Sequence, residues 1–160
     1  MQIYLLRHGI AEDGRPGRPD SERALTAEGK KRLKEMLRVA SEAGVEPSLV
    51  LTSPYRRAVE TAAVAAAELG YKSDLLRTNA LLPESPVHEV WDEIRVHKDE
   101  VSVLLSGHQP MMGSLCGFLL GVPTLETDFK KGTLARIDIS HFGPQPRGVL
   151  KWLLSPKLAG

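Results

Sequence analysis

Short apolar runs alternate with longer amphipathic stretches along most of this chain, and that alternation limits the possible folds more than any other feature. Residues 3–6, Ile-Tyr-Leu-Leu, read as a buried strand. Thr26 can cap a helix over 27–43, with Leu33, Met36, Leu37 and Ala40 at helical spacing and Gly44 as its stop. Residues 48–53 read as a second strand, and Ser53-Pro54 as a helix start that runs to Gly70. A short strand is expected at 73–77, a helix at 87–97, and a β-branched strand at 101–107. Pro110 opens a further helix that Gly121 and Pro123 close. Residues 133–140 and 148–154 read as two final strands, an antiparallel hairpin at a sheet edge. This pattern predicts an α/β fold, a three-layer sandwich with a mostly parallel central sheet flanked by helices and an antiparallel edge. The polar stretch 11–22 reads as a mobile surface loop.

The 160 residues suit one domain over 1–160. With 42% apolar residues and a net charge of +1, the chain is neither disordered nor a nucleic-acid binder driven by bulk charge. Cys116 is the single cysteine, so no internal disulfide or cysteine metal cluster can form. No run approaches the roughly 20 apolar residues of a membrane span. These features predict a cytoplasmic monomer with no nucleic-acid or membrane partner.

In open parallel sheets, ligands bind beyond the carboxyl ends of the strands. Three strands here end in unusual chemistry: Arg7-His8-Gly9, then Ser53 leading to Arg56 and Arg57, then Ser106-Gly107-His108. Parallel strands would bring two histidines and several arginines to one sheet edge. Arginines in the first turn of a helix oppose its dipole, and a bound anion would relieve that conflict. Arginine also matches phosphate oxygens bidentately. Each motif alone is common, but three at successive strand ends point to one anion-handling site.

Other phosphate and hydrolase chemistries do not match. A cysteine phosphatase needs arginine six positions after its cysteine, and position 122 is Val. The chain has no GxxxxGK[ST] phosphate loop. His-Glu-Val-Trp-Asp (88–92) lacks HExxH zinc spacing, and Gly-Ser-Leu-Cys-Gly (113–117) is not a GxSxG nucleophile elbow.

Four motifs resemble those of the histidine phosphatase superfamily, in that family's order. They are Leu-Leu-Arg-His-Gly (5–9), Leu-Thr-Ala-Glu-Gly (25–29), Ser-Pro-Tyr-Arg-Arg-Ala-Val-Glu-Thr (53–61) and Gly-His-Gln-Pro (107–110). The compact length, Asp-Ser-Glu-Arg-Ala-Leu-Thr (20–26) and Lys-Trp-Leu-Leu-Ser-Pro (151–156) look most like the short SixA-type phosphohistidine phosphatases. The resemblance implies that His8 is the nucleophile and passes through a phosphohistidine intermediate. Arg7, Arg57 and His108 would hold the phosphoryl oxygens, Gly9 would shape the turn, and Arg23 would stand at the pocket. No cofactor and no metal is implied. Glu84 is the best-placed proton donor, with Asp20, Glu22 or water as alternatives. The implied substrate is a phosphorylated protein, such as a histidine phosphotransfer domain. A broad small-molecule phosphomonoesterase and a phosphoprotein-binding pseudoenzyme stay open at this stage.

Overall fold

The computed structural model describes residues 1–159. Its strands are β1 (Gln2–Arg7), β2 (Leu49–Thr52), β3 (Leu76–Arg77), β4 (Ser102–Gly107), β5 (Leu134–Asp138) and β6 (Val149–Leu154). Its helices are α1 (Ala27–Glu42), α2 (Arg56–Glu68), α3 (Val87–Val96), α4 (Met111–Leu119) and the short α5 (Pro156–Ala159). Single 3₁₀ turns lie at Asp20–Glu22 and Asn79–Leu81.

One sheet of six strands runs in the order β3-β2-β4-β1-β5-β6. The pairs β3/β2, β2/β4 and β4/β1 are parallel, while β1/β5 and β5/β6 are antiparallel. Side chains alternate across a strand, so β1 feeds two cores at once. Ile3 and Leu5 join Val103, Leu105 and the apolar faces of α3 and α4. Tyr4 and Leu6 join Val50, Leu104 and the faces of α1 and α2. Helices therefore cover both faces of a mostly parallel sheet with an antiparallel edge, the expected three-layer architecture.

The stripe Leu33, Met36, Leu37 and Ala40 is buried as its spacing required. Thr26 caps α1, its Oγ1 accepting from Gly29 N–H at 2.9 Å. Gly44, at φ +85°, turns the chain away after α1. Three features depart furthest from the sequence reading. Helix α2 begins at Arg56, because Ser53 turns its hydroxyl to Tyr55 N–H (3.2 Å) and to a histidine instead of capping a first turn at Pro54. Strand β3 is only two residues long, since Leu76 and Arg77 alone pair with β2. The stretch 11–22 is tied down: Ala11 bridges Leu25, Glu12 N–H donates to Ala24 O at 2.8 Å, and Arg23 Nη1 donates to Glu12 O at 2.9 Å.

The register fixes where the chemistry falls. Arg7 at the end of β1 lies opposite Gly107 at the end of β4, and His8 N–H donates to Gly107 O at 2.9 Å. His8 and His108 therefore leave neighbouring strands at the same level. Strand β2 reaches that level at Thr52 opposite Ser106, which brings Ser53 and the start of α2 alongside.

Candidate active site

His8 and His108 face each other with ring centroids 5.3 Å apart, and both are almost fully buried. His8 Nδ1 lies 2.8 Å from Gly9 O. A carbonyl can only accept, so Nδ1 carries the proton and Nε2 holds the lone pair. Arg57 agrees with that tautomer, donating from Nε to His8 Nε2 at 3.3 Å. Burial pushes the His8 pKa down to about 4; Arg57, Arg7 and Lys131 push the same way, and the Gly9 carbonyl opposes them. His8 is thus a neutral imidazole at pH 7 whose Nε2 lone pair accepts from Arg57.

His108 is held from the other side. Its Nε2 is 2.8 Å from Ser53 Oγ, and the Tyr55 ring meets it edge-on at 5.2 Å. Burial lowers its pKa to about 3, with His8, Arg57 and Arg7 adding to the fall and Asp20 opposing it. Its Nδ1 is buried with no hydrogen-bond partner among the described residues, and so is Nε of Arg7. Leaving a buried polar group without a hydrogen bond costs about 1–3 kcal/mol. Two such groups at the ends of paired strands suit a site that a ligand completes.

Arg57 is the buried member of the arginine pair; Arg56 turns outward to Glu60 at 3.6 Å. The dipole conflict foreseen in the first turn of α2 is met by a carboxylate of this chain. Arg57 Nη1 donates to Asp20 O at 2.8 Å, and Nη2 to Asp20 Oδ2 at 3.1 Å. Asp20 Oδ1 also accepts from Arg23 Nε at 2.8 Å. Partial burial raises the Asp20 pKa, but the hydrogen bonds and charges of Arg57 and Arg23 outweigh it and hold the carboxyl below its ordinary value. Arg7 donates from Nη1 to Phe129 O at 2.7 Å, which fixes its reach along the end of the sheet.

Two glycines let the backbone close around His8. A Cβ on Gly9 would stand 2.8 Å from Leu33 Cδ1, and one on Gly29 would stand 2.2 Å from Ile10 O. The start of α1 therefore packs directly under the turn that follows β1. Gly9 N–H donates to Thr61 Oγ1 at 3.1 Å, and Thr61 donates in turn to Arg57 O at 2.7 Å. That pair of bonds ties the His8 turn to α2.

The structure brings Arg7, His8, Gly9, Arg57 and His108 to one place. Arg23 joins them through Asp20. Glu84 does not join the cluster: it is exposed on the loop after the second 3₁₀ turn and shares a surface hollow with Tyr55. Glu22 is exposed, and its backbone alone is engaged among the described residues: its carbonyl accepts from Arg18 at 3.4 Å and its N–H donates to Pro19 O at 3.0 Å. Sequence reasoning treated Ser53 as a helix cap and missed its contact with His108. Its place in Ser-Pro-x-x-Arg, at the end of a strand beside His108, was the available signal. Among the described residues, no group of three or more His, Cys, Asp or Glu could hold a metal ion, and no helix is long and apolar enough to cross a membrane.

Several known proteins are similar to this chain. The family profile of the histidine phosphatase superfamily (branch 1) matches residues 3–81. The phosphohistidine phosphatase SixA of Escherichia coli K12 is 28% identical over 162 residues, covering 98% of this chain and 94% of that one. An uncharacterised protein of Picosynechococcus sp. is 34% identical over 114 residues, covering 71% of this chain and 69% of that one. Among solved structures, the protein histidine phosphatase SixA complexed with tungstate superposes with a TM-score of 0.88, at 26% identity and 98% coverage of both chains. The motifs, the sheet and these relatives lead to one assignment: the chain belongs to the histidine phosphatase superfamily and is a SixA-like phosphatase.

Proposed function

We propose that this protein is a metal-independent phosphohistidine phosphatase acting on phosphorylated proteins, with His8 as its nucleophile. The observation that carries the reading is the neutral His8 imidazole, with Nδ1–H fixed on Gly9 O and the Nε2 lone pair aimed at Arg57. Nε2 attacks phosphorus, and the bond from phosphorus to the leaving nitrogen or oxygen breaks. With the Ser53 hydroxyl donating to Nε2 of His108, its Nδ1 carries the proton, and Arg7, Arg57 and that Nδ1–H stabilise charge on the phosphoryl oxygens. The Nδ1–H···O bond to Gly9 supports the positive charge that His8 gains. Water then attacks the phosphorylated His8, inorganic phosphate leaves, and neutral His8 is restored.

The leaving group decides between substrate classes. An alkoxide needs a proton as it departs, whereas an imidazole leaving from phosphohistidine demands less help. Asp20, the one carboxylate bonded to the site among the described residues, is held ionised by two arginines and is a poor donor. Glu84, exposed beyond Tyr55, or water supplies what proton is needed. The site is therefore better suited to phosphohistidine than to aliphatic phosphoesters.

The test compares kcat/KM for a histidine-phosphorylated protein, an aliphatic phosphoester and p-nitrophenyl phosphate, with and without EDTA. The expected order places the phosphohistidine protein well above the aliphatic ester, with rates unchanged by EDTA. Preference for the aliphatic ester would replace this reading with a small-molecule phosphomonoesterase. No turnover of any substrate would leave a phosphoprotein-binding module.

A further inference from the structure

Beside the histidine cluster, on the far side of Gly9, the surface opens into a groove of about 620 Å³. Its size falls in the range of ligand-binding clefts, roughly 300–1,000 Å³. Five cations line it: Arg7, Arg32, Lys130, Lys131 and Lys157. Among the described residues, no carboxylate does. Two of the five are partly neutralised from outside the groove. Arg32 pairs with Glu28 at 2.8 Å, and Lys130 with Asp128 at 3.0 Å. Among the described residues, Arg7, Lys131 and Lys157 have no ion-pair partner.

Arg7 belongs to both the groove and the histidine cluster, so the two share a wall. The same field reaches His8, where Lys131 is one of the charges opposing protonation. The near-neutral total of this chain makes such a one-sign concentration next to the site a local feature. The floor is apolar, made of Ile10, Leu33 and Pro156, while Arg32, Lys130, Lys131 and Lys157 stand on the surface around it. A cleft for a small anion would bury polar anchors at its base. Exposed rim cations over an apolar floor suit a protein segment that brings acidic side chains at its edges and apolar ones at its centre.

We propose that this groove docks an acidic segment flanking the phosphorylated histidine of the protein substrate. The proposal rests on the phosphohistidine phosphatase reading and adds to it the character of the partner. Arg7 would take the phosphoryl group, while Lys131, Lys157 and Arg32 take carboxylates beside it. Electrostatic complementarity of this kind acts mainly on encounter and orientation, so it raises kcat/KM and weakens with salt.

The test uses two short synthetic peptides, each with one phosphohistidine, flanked by glutamates in one and by alanines in the other. Wild type is expected to favour the acidic peptide by about tenfold at low ionic strength, with the margin shrinking as salt is added. Lys157→Glu combined with Arg32→Glu should erase or invert that preference and leave p-nitrophenyl phosphate turnover unchanged. Equal hydrolysis of the two peptides by wild type, or a preference that survives the double substitution, would overturn the docking proposal alone. Hydrolysis of neither peptide would overturn it together with the phosphohistidine reading. A parallel loss on p-nitrophenyl phosphate would make the two residues part of the phosphate pocket, and the docking role would fall.

Discussion

Asp20 stands where an incoming phosphoryl group must compete. Its carboxylate bridges Arg57 and Arg23, so the pocket arginine is already paired with an anion of this chain. A phosphate dianion arriving at Arg57 meets that negative charge. Asp20→Asn keeps an oxygen for the guanidinium and removes the charge. It should lower the inhibition constant for inorganic phosphate several-fold and change kcat on p-nitrophenyl phosphate little. Were Asp20 the general acid, kcat on an aliphatic ester would instead drop by about 100- to 10,000-fold. Glu84→Gln is the complementary case: it should slow phosphohistidine hydrolysis only modestly and aliphatic ester hydrolysis much more. Steady-state kinetics of both variants on both substrates separates these outcomes. Arg7, His8, Arg57 and His108 were legible in the sequence because each sits at or just after a strand end, where an unsatisfied polar group has few structural reasons to be. The roles of Asp20 and Ser53 were not, because each rests on a contact with a residue far along the chain, Arg57 and His108. Local pattern carries no trace of such a pairing.

The elements that hold His8 are joined backbone to backbone, and α1 is the tightest of them. Two effects oppose each other at Gly29. Alanine is the better helix former by about 1 kcal/mol. Its Cβ, however, would stand 2.2 Å from the carbonyl oxygen of Ile10, a backbone atom that cannot swing aside. Overpacking of this kind costs about 1–3 kcal/mol, so Gly29→Ala should be destabilising on balance. It should also cut activity, because the Gly9–Ile10 segment that must shift carries the carbonyl bonded to His8 Nδ1. Urea unfolding with an unchanged slope and a lower midpoint is the expected result, and a stabilised, fully active Gly29→Ala would contradict it. Most helices and strands were readable from period alone: the α1 stripe, the buried β4 and the closing hairpin stand where the residues placed them. What period could not supply was pairing. Strand β3 shrank to the two residues that β2 can reach, and α2 began late because Ser53 found a partner across the sheet. The stretch 11–22 read as a free loop because its polar, Gly- and Pro-containing sequence hides the bonds that Glu12 and Arg23 make across it.

The molecule as a whole keeps two imidazoles neutral and buried at one end of its sheet, and its stability should record this. In the unfolded chain a histidine titrates near 6.5. Here His8 is lowered to about 4 and His108 to about 3. Between those values the unfolded chain binds protons that the folded chain refuses, so stability falls as pH falls below about 6.5. Each histidine accounts for roughly 2 kcal/mol of loss between pH 7 and pH 5. Urea midpoints at the two pH values should show this fall in wild type and a smaller one in His8→Ala; identical falls would mean that His8 titrates normally in the folded protein. The same geometry makes a sharper statement about chemistry, since it specifies one nitrogen. The sequence named His8, but only the contacts with Gly9 and Arg57 say which ring nitrogen carries the lone pair. The direct measurement is a rapid-quench experiment with a histidine-phosphorylated peptide, followed by isolation of the phosphorylated protein under alkaline conditions and identification of the modified atom. The account predicts a transient phosphoenzyme bearing its phosphoryl group on Nε2 of His8 and formed as fast as turnover requires; turnover with no phosphorylated protein, or a phosphoryl group on Nδ1 or on another residue, would contradict it.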